Sequence, residues 1–443
     1  MKLFFVLSLI LLFNHCSFDN KTGIWKNEEI IIKADNKDKT LKGFEKVLKI
    51  NDTFDQVIAA ASNTNLNLPT PKTNELWSDI FYDQTNNSLN FSYNETNRTI
   101  FKSKKITKYK INDHILFDKK NLITSDDRGN IIIFSIEENK VLRNFNFYKK
   151  NYKKFKKYLN LYVEDEIIYV ADNIGYLYAY NYKDGKIIWA KNYKIPFRSN
   201  LKLSKNKLMI SNQNNSLFFF DKSNGEILKL IPTEETIIKK NFKNNLSLNE
   251  NTLFFINTFG SLYSVNIDDF RINWFVNINE IINSNPGNLF DGGKILIYEN
   301  KLIISSAKFT YIVDTLNGSI LYKINYSSNI TPIVIDNHLI SITKKNLLVA
   351  FNILTGEAFF SRNVSQDIKN FLGVKKFNFQ IKKINILSNK IYIFLNNSNL
   401  LIYNFKGELK EIKKFPAKLN IQPIFIKNSI IGLNSNNKLL IID

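Results

Sequence analysis

One cysteine, Cys16, and three histidines, His15, His114 and His338, are all that 443 residues provide of thiol and imidazole. A single thiol excludes an internal disulfide framework, and with so few histidines it excludes a Cys/His zinc site in a monomer. A Ser-His-Asp or Cys-His mechanism would rest on His114 or His338. Neither stands in a recognisable motif, so a structural or surface role is expected for both. The carboxylates fall mostly in turns and form no convergent pair of the kind acid–base chemistry requires. Beyond the first residues, no segment is long and apolar enough to span a bilayer as a helix. No catalytic residue, metal ligand or cofactor contact is assigned, and the chain is read as a non-enzyme.

What is present favours strands. Apolar residues make up 44%, with 36 Phe and 20 Tyr among them, a set that suits pleated sheets. The formal charge is +21, a field that attracts anionic surfaces. The lysines are spread along the chain, with only short runs such as Lys153-Lys154-Phe155-Lys156-Lys157. They are read as the default surface residue, and no nucleic-acid partner is expected.

The N-terminus reads as an address. Lys2 precedes the apolar run Leu3 to Phe13, too short for a membrane-spanning helix but suited to the core of a signal peptide. Cys16 follows directly, which resembles the lipobox of bacterial lipoproteins, although Asn14 and His15 stand where small residues are usual. The resemblance implies cleavage after residue 15 and lipidation of Cys16. Ser17 is compatible with the outer membrane. Several acyl chains anchor stably, since burial contributes about 0.8 kcal/mol per CH₂.

An internal repeat decides the fold. The clearest copy is residues 175–189, GYLYAYNYKDGKIIW. The same frame begins at 129, 215, 260, 308, 346, 398 and 437, a mean period of 44 residues. The third column is Ile131, Leu177, Leu217, Leu262, Thr310, Leu348, Leu400 and Leu439, and the fourth is also apolar or aromatic. Adjacent strand positions face opposite ways, so both sheet faces are covered, as when sheets stack around an axis. The seventh column is Asn or Asp in all copies but Ser135, which suits a turn. The eleventh is Gly at 185, 225, 318 and 356, and its counterpart in the copy from 398, which is one residue shorter, is Gly407; a tight hairpin there requires positive φ. Further strands precede each copy, giving about four per repeat. The expectation is an all-β, eight-bladed propeller with four antiparallel strands per blade. The eighth copy stops at Asp443 without its last strand. Residues 98–105, RTIFKSKK, are expected to supply it and close the ring.

The chain is therefore divided into a signal peptide (1–15), a tether and extension (16–97) and the ring (98–443). In the extension, Glu45 to Ala61 is expected to form a short amphipathic helix. Asn63 to Thr73 reads as a linker, and Trp77 and Tyr82 are expected to pack on the ring's surface.

The unit G-x-L-x-A-x-N/D-x-x-x-G-x-x-x-W resembles the PQQ-like propeller repeat. Two of its functional branches are relevant. Quinoprotein dehydrogenases hold PQQ on the propeller axis with a calcium site of acidic and amide groups, a stacking Trp and a vicinal Cys pair. This chain has no second Cys, and Trp189 and Trp274 of its four Trp fill the structural column. BamB-like lipoproteins of the outer-membrane β-barrel assembly machinery are resembled in more ways. The features are Cys16 after an apolar run, eight repeats, a chain ending inside the last blade, and the segment LNLPTPKTNELW at 66–77. That resemblance implies a monomeric, periplasm-facing scaffold of a Gram-negative outer membrane. It would bind the periplasmic domains of the barrel insertase (BamA-like) and possibly nascent outer-membrane proteins. A docking loop of that family carries two apolar residues and an Arg, matched here by Ile195, Phe197 and Arg198. Its acidic contact before the next blade is not matched, since 237–249 is basic and polar. A propeller binding another periplasmic protein or a polysaccharide is the alternative.

Overall fold

In a computed structural model of the chain, residues 57–60, 66–148, 152, 154–236, 245–279, 290, 292–306, 308–328, 330–419 and 421–443 are described. The expected signal peptide and Cys16 lie outside them.

Each repeat folds as one blade. In blade 2, Leu159–Glu164, Ile167–Asp172, Tyr176–Asn181 and Lys186–Asn192 pair in order, all antiparallel. The alternating pattern of short apolar strands produces eight such sheets around an axis. The middle strands are buried on both faces, whereas the last strand is exposed. The first strand of each blade is thus innermost and the last lies at the rim. Blade 7 carries a fifth, two-residue strand, Asn90–Phe91, parallel to its inner strand Ile381–Leu387.

The repeat columns acquire a packing role. Asn181 Oδ1 accepts from the backbone N–H of Asp184, the turn that the seventh column implied. The eleventh-column glycines sit at φ near +75°, and they also receive the preceding blade. A Cβ on Gly225 would lie 2.5 Å from Trp189 Cε3, and one on Gly318 would lie 2.6 Å from Trp274 Cε3. Each indole Nε1 donates to a carbonyl in the same turn, Lys222 O at 3.0 Å and Thr315 O at 2.9 Å. Tyr322 repeats the contact over Gly356. The fifteenth column of one blade therefore latches onto the turn of the next.

The ring closes as the sequence predicts. Thr99–Lys105 is the rim strand of blade 8 and pairs antiparallel with Lys438–Ile442. Arg98 and Asp443 exchange backbone hydrogen bonds at 3.2 and 3.0 Å. This covers an edge that would otherwise be open.

The extension departs from expectation. Within Glu45 to Ala61 the described residues 57–60 are not helical, and Ile58 bridges Ser361 in the rim strand of blade 6. The described part of the linker is docked: Asn67 N–H donates to Asp336 Oδ2 and Lys72 bridges Phe91. An unforeseen helix, Val364–Leu372, follows blade 6. Asn363 caps its first turn, and Gly373 ends it in the left-handed region.

Candidate functional site: the axial channel

The inner strands of the eight blades are Ile111–Asp118, Leu159–Glu164, Lys202–Ser204, Asn245–Asn249, Gly292–Tyr298, Ile333–Ile335, Ile381–Leu387 and Ile424–Ile426. Their free edges face the axis, where backbone donors and acceptors need partners. Residues 74–91 supply them by running once around the channel in blade order. The circuit starts at blade 8, where Lys427 N–H donates to Asn74 O at 2.9 Å. Trp77 and Phe117 exchange backbone bonds at blade 1, and Val163 N–H donates to Ser78 O at blade 2. Gln84 Nε2 donates to Leu203 O at blade 3. Leu248 and Ile297 N–H groups, of blades 4 and 5, donate to Gln84 O and Thr85 O. Asn87 makes two bonds to Val334 of blade 6, and Asn90–Phe91 completes the circuit at blade 7. Nearly every contact falls one residue before the end of an inner strand, so the segment forms a plug at one level.

Lys202 anchors this plug. Its Nζ donates to Asp79 Oδ2 at 2.6 Å, Asp83 O at 2.8 Å and Asn86 Oδ1 at 2.7 Å. The Lys202 and Asp79 side chains are 0% and 2% exposed. A buried ammonium is tolerable only when paired and fully hydrogen-bonded, and all three of its donors are used. Desolvation dominates at neighbouring Asp83, whose carboxyl is raised above the usual carboxylate range. The reading of lysine as a surface residue fails here, because charge alone cannot reveal which lysine meets Asp79. Trp77 and Tyr82 likewise belong to the plug and not to the outer surface. Trp77 packs against Tyr82, Phe91 and Phe425 with ring centroids 4.8, 5.6 and 6.2 Å away.

Above the plug, toward the N-terminal ends of the inner strands, two adjoining chambers of ≈ 340 and ≈ 220 Å³ remain. Lys294, Lys382, Lys383 and Gln422 line both. Asp113 and His114 line the larger, whereas Trp77, Phe81, Tyr82 and Asn385 line the smaller. Burial, reinforced by the Lys294 charge, pushes Lys383 down to about 7. Lys383 Nζ donates to Pro423 O at 3.0 Å and lies 5.8 Å from the Trp77 ring centre. Lys294 Nζ lies 4.0 Å from that of Phe81. His114 is thus a channel residue. His338 is structural, with Nδ1 2.6 Å from Asp336 O.

The loop residues singled out in the sequence lie between blades 2 and 3. Phe197 is 2% exposed, its ring packed near Tyr193, Phe218 and Phe220. Its backbone N–H donates to Asp172 O at 3.0 Å. Ile195 and Arg198 are half-buried, so they are the members of the trio that reach solvent. Desolvation pushes the Arg198 guanidinium down from its ordinary value.

The axial residues do not fit the PQQ–calcium arrangement. Among the described chamber-lining residues Asp113 is the one carboxylate, alongside three lysines, and a vicinal Cys pair is absent from the sequence. A calcium ion needs several oxygen ligands, and lysines at the same site disfavour it.

A family model described as outer membrane protein assembly factor BamB matches residues 157–229. No curated protein matches the chain. Among solved structures, BamB from Moraxella catarrhalis is similar at 14% identity with a TM-score of 0.60, covering 78% of this chain and 99% of that one. The computationally designed Ika8 protein is similar at 12% identity and a TM-score of 0.57, covering 78% and 99%. Quinohemoprotein alcohol dehydrogenase from Comamonas testosteroni is similar at 9% identity and a TM-score of 0.59, covering 84% and 81%. The chain thus has the PQQ-like propeller fold, one architecture found in an assembly factor, a designed protein and a dehydrogenase.

Proposed function

We propose that this protein is a non-catalytic scaffold of the outer-membrane β-barrel assembly machinery. In this reading Cys16 carries the lipid anchor, and the ring faces the periplasm. It binds the periplasmic domains of the barrel insertase and assists the folding and insertion of outer-membrane proteins. The observation that carries the reading is the plug. Residues 74–91 close the axis at one level with their own hydrogen bonds, which supports protein docking on the loops and the rim. The assembly-factor model over 157–229 supports the same reading, and that stretch contains the 195–198 loop.

Docking is assigned to Ile195 and Arg198, with Phe197 bracing the loop from within. A half-buried Arg beside an apolar residue suits a partner carboxylate, because partial desolvation strengthens the pair. Arg198→Ala and Arg198→Glu are expected to weaken partner binding by roughly tenfold or more while leaving thermal unfolding unchanged. The direct experiment is affinity purification of the full-length protein from detergent-solubilised membranes, with bound proteins identified by mass spectrometry. Recovery of the barrel insertase, reduced by Arg198→Glu, is the expected result. Reproducible recovery of a different partner, with the insertase absent, would overturn the assignment.

A further inference from the structure

The helix Val364–Leu372 buries only half of its apolar stripe. Val364, Ile368, Phe371 and Leu372 fall at i, i+4, i+7 and i+8, one face of an α-helix. Val364 and Ile368 are buried in the core shared by blades 6 and 7. Phe371 and Leu372 are 49% and 41% exposed, and Val374 just beyond them is exposed too. The element that presents them is braced. Asp367 accepts from Arg362 Nη2 at 3.0 Å and from the Tyr403 hydroxyl at 3.3 Å. Phe377 and Phe379 pack back onto the same core. Lys369, Lys375 and Lys376 flank the apolar tip. An exposed apolar cluster rimmed by charge marks an interaction site.

Two further observations choose the occupant. The first is charge. Strands alternate in direction, so the turns after the first and third strands of each blade share one face. The turns after the second strands and the connections between blades share the other. Among the described residues, the turns of the former face hold eight Lys and Arg against thirteen acidic residues, and the loops of the latter hold fifteen against four. The helix belongs to the connection between blades 6 and 7, on the basic face. The second is the entry of the chain. Ile58 and Ser361 exchange backbone hydrogen bonds at 2.8 and 2.9 Å, three residues before the helix begins. The chain that leads from Cys16 thus lies against the ring beside the helix.

We infer that the tip formed by Phe371, Leu372 and Val374 docks in an anionic phospholipid surface. The apolar side chains enter the boundary between headgroups and acyl chains, and Lys369, Lys375 and Lys376 meet lipid phosphates. The choice of lipid as occupant rests on the lipid-anchored reading of Cys16. An anchor alone leaves the ring free to turn. A second contact beside the tether fixes its orientation, and weak binding suffices because the tether keeps the tip at high local concentration. The 195–198 loop lies between blades 2 and 3, four blades away in a ring of eight. Lipid contact at the helix therefore leaves that loop open to a protein partner.

The test places an indole at the tip. Full-length Phe371→Trp is bound to vesicles of phosphatidylethanolamine and phosphatidylglycerol whose acyl chains carry bromine, and its fluorescence is compared with that of the unsubstituted chain. Bromine-dependent quenching of the added indole is expected there, and little in vesicles of phosphatidylcholine alone. Lys375→Gln and Lys376→Gln together should shift the docking equilibrium roughly tenfold or more toward the free state. Phe275→Trp is the control, since Phe275 is 66% exposed on the rim strand of blade 4, away from the tip. It should show no quenching. All these positions are exposed, so the variants are expected to fold, which a thermal melt verifies. The mass of the purified chain reports separately on Cys16. With an unmodified thiol the anchor reading fails, and quenching at 371 would still support the lipid contact. No quenching at 371, equal quenching at 275, or quenching indifferent to the two lysines would overturn the inference. So would a photo-crosslinker at position 371 that captured a protein in place of lipid in native membranes.

Discussion

Two lysines show how far the environment decides what a residue does. Lys202 is buried with Asp79, and all its protons are used by the plug. Lys202→Met would leave Asp79 buried without its partner and should destabilise the fold by about 3–5 kcal/mol, measurable by denaturant unfolding. Lys383 behaves oppositely. Its pKa is 10.5 in the unfolded chain and about 7 in the fold. Between these values the unfolded chain holds more protons, so this group's contribution to stability rises with pH. Below about pH 7 its full penalty is present. Lys383→Met is therefore expected to raise the melting temperature, most at pH 6, with the gain shrinking toward pH 10. A gain that grew with pH would contradict the assigned shift. Neither role was legible in the sequence, where both residues belonged to a uniform basic background.

At the scale of the blade, the repeat columns were legible because they encode local needs. A turn demands an Asx side chain and a glycine at positive φ, and a doubly covered strand demands adjacent apolar residues. The latch between blades was only half legible. The sequence placed Trp189 and Trp274 in a structural column but did not show that they seat on Gly225 and Gly318 of the following blade. Gly225→Ala should cost about 2 kcal/mol or more, from left-handed backbone strain and the clash with the indole. In a Trp189→Ala background the added cost should fall, and a double-mutant cycle on unfolding free energies measures the coupling. Equal costs in both backgrounds would show that only the backbone matters there.

At the scale of the whole molecule, a rim strand and a plug from one N-terminal region hold the ring. Replacing Arg98–Lys105 with a Gly-Ser linker of equal length would expose the edge of Lys438–Ile442. The melting temperature should drop by on the order of 5 °C, and self-association through that edge should appear in analytical ultracentrifugation. An unchanged melt would mean that closure adds nothing to stability. The plug touches the inner strand of every blade, so it couples blades that are remote in sequence. The ring therefore resists the piecemeal fraying expected of an open repeat array.

The sequence by itself determined the eight-fold repeat, the strand order within each blade and the closing strand. Each of these follows from short-range periodicity, turn chemistry and the count of strands left unpaired. Only the tertiary structure decided the fate of residues 66–97, which looked like linker and surface. Their side chains and backbone match no local period, because what they satisfy is a circle of strand edges brought together by ring closure. The lysine-lined chambers have the same origin: Lys294 and Lys383 are 89 positions apart and share a site only because blades 5 and 7 face one axis.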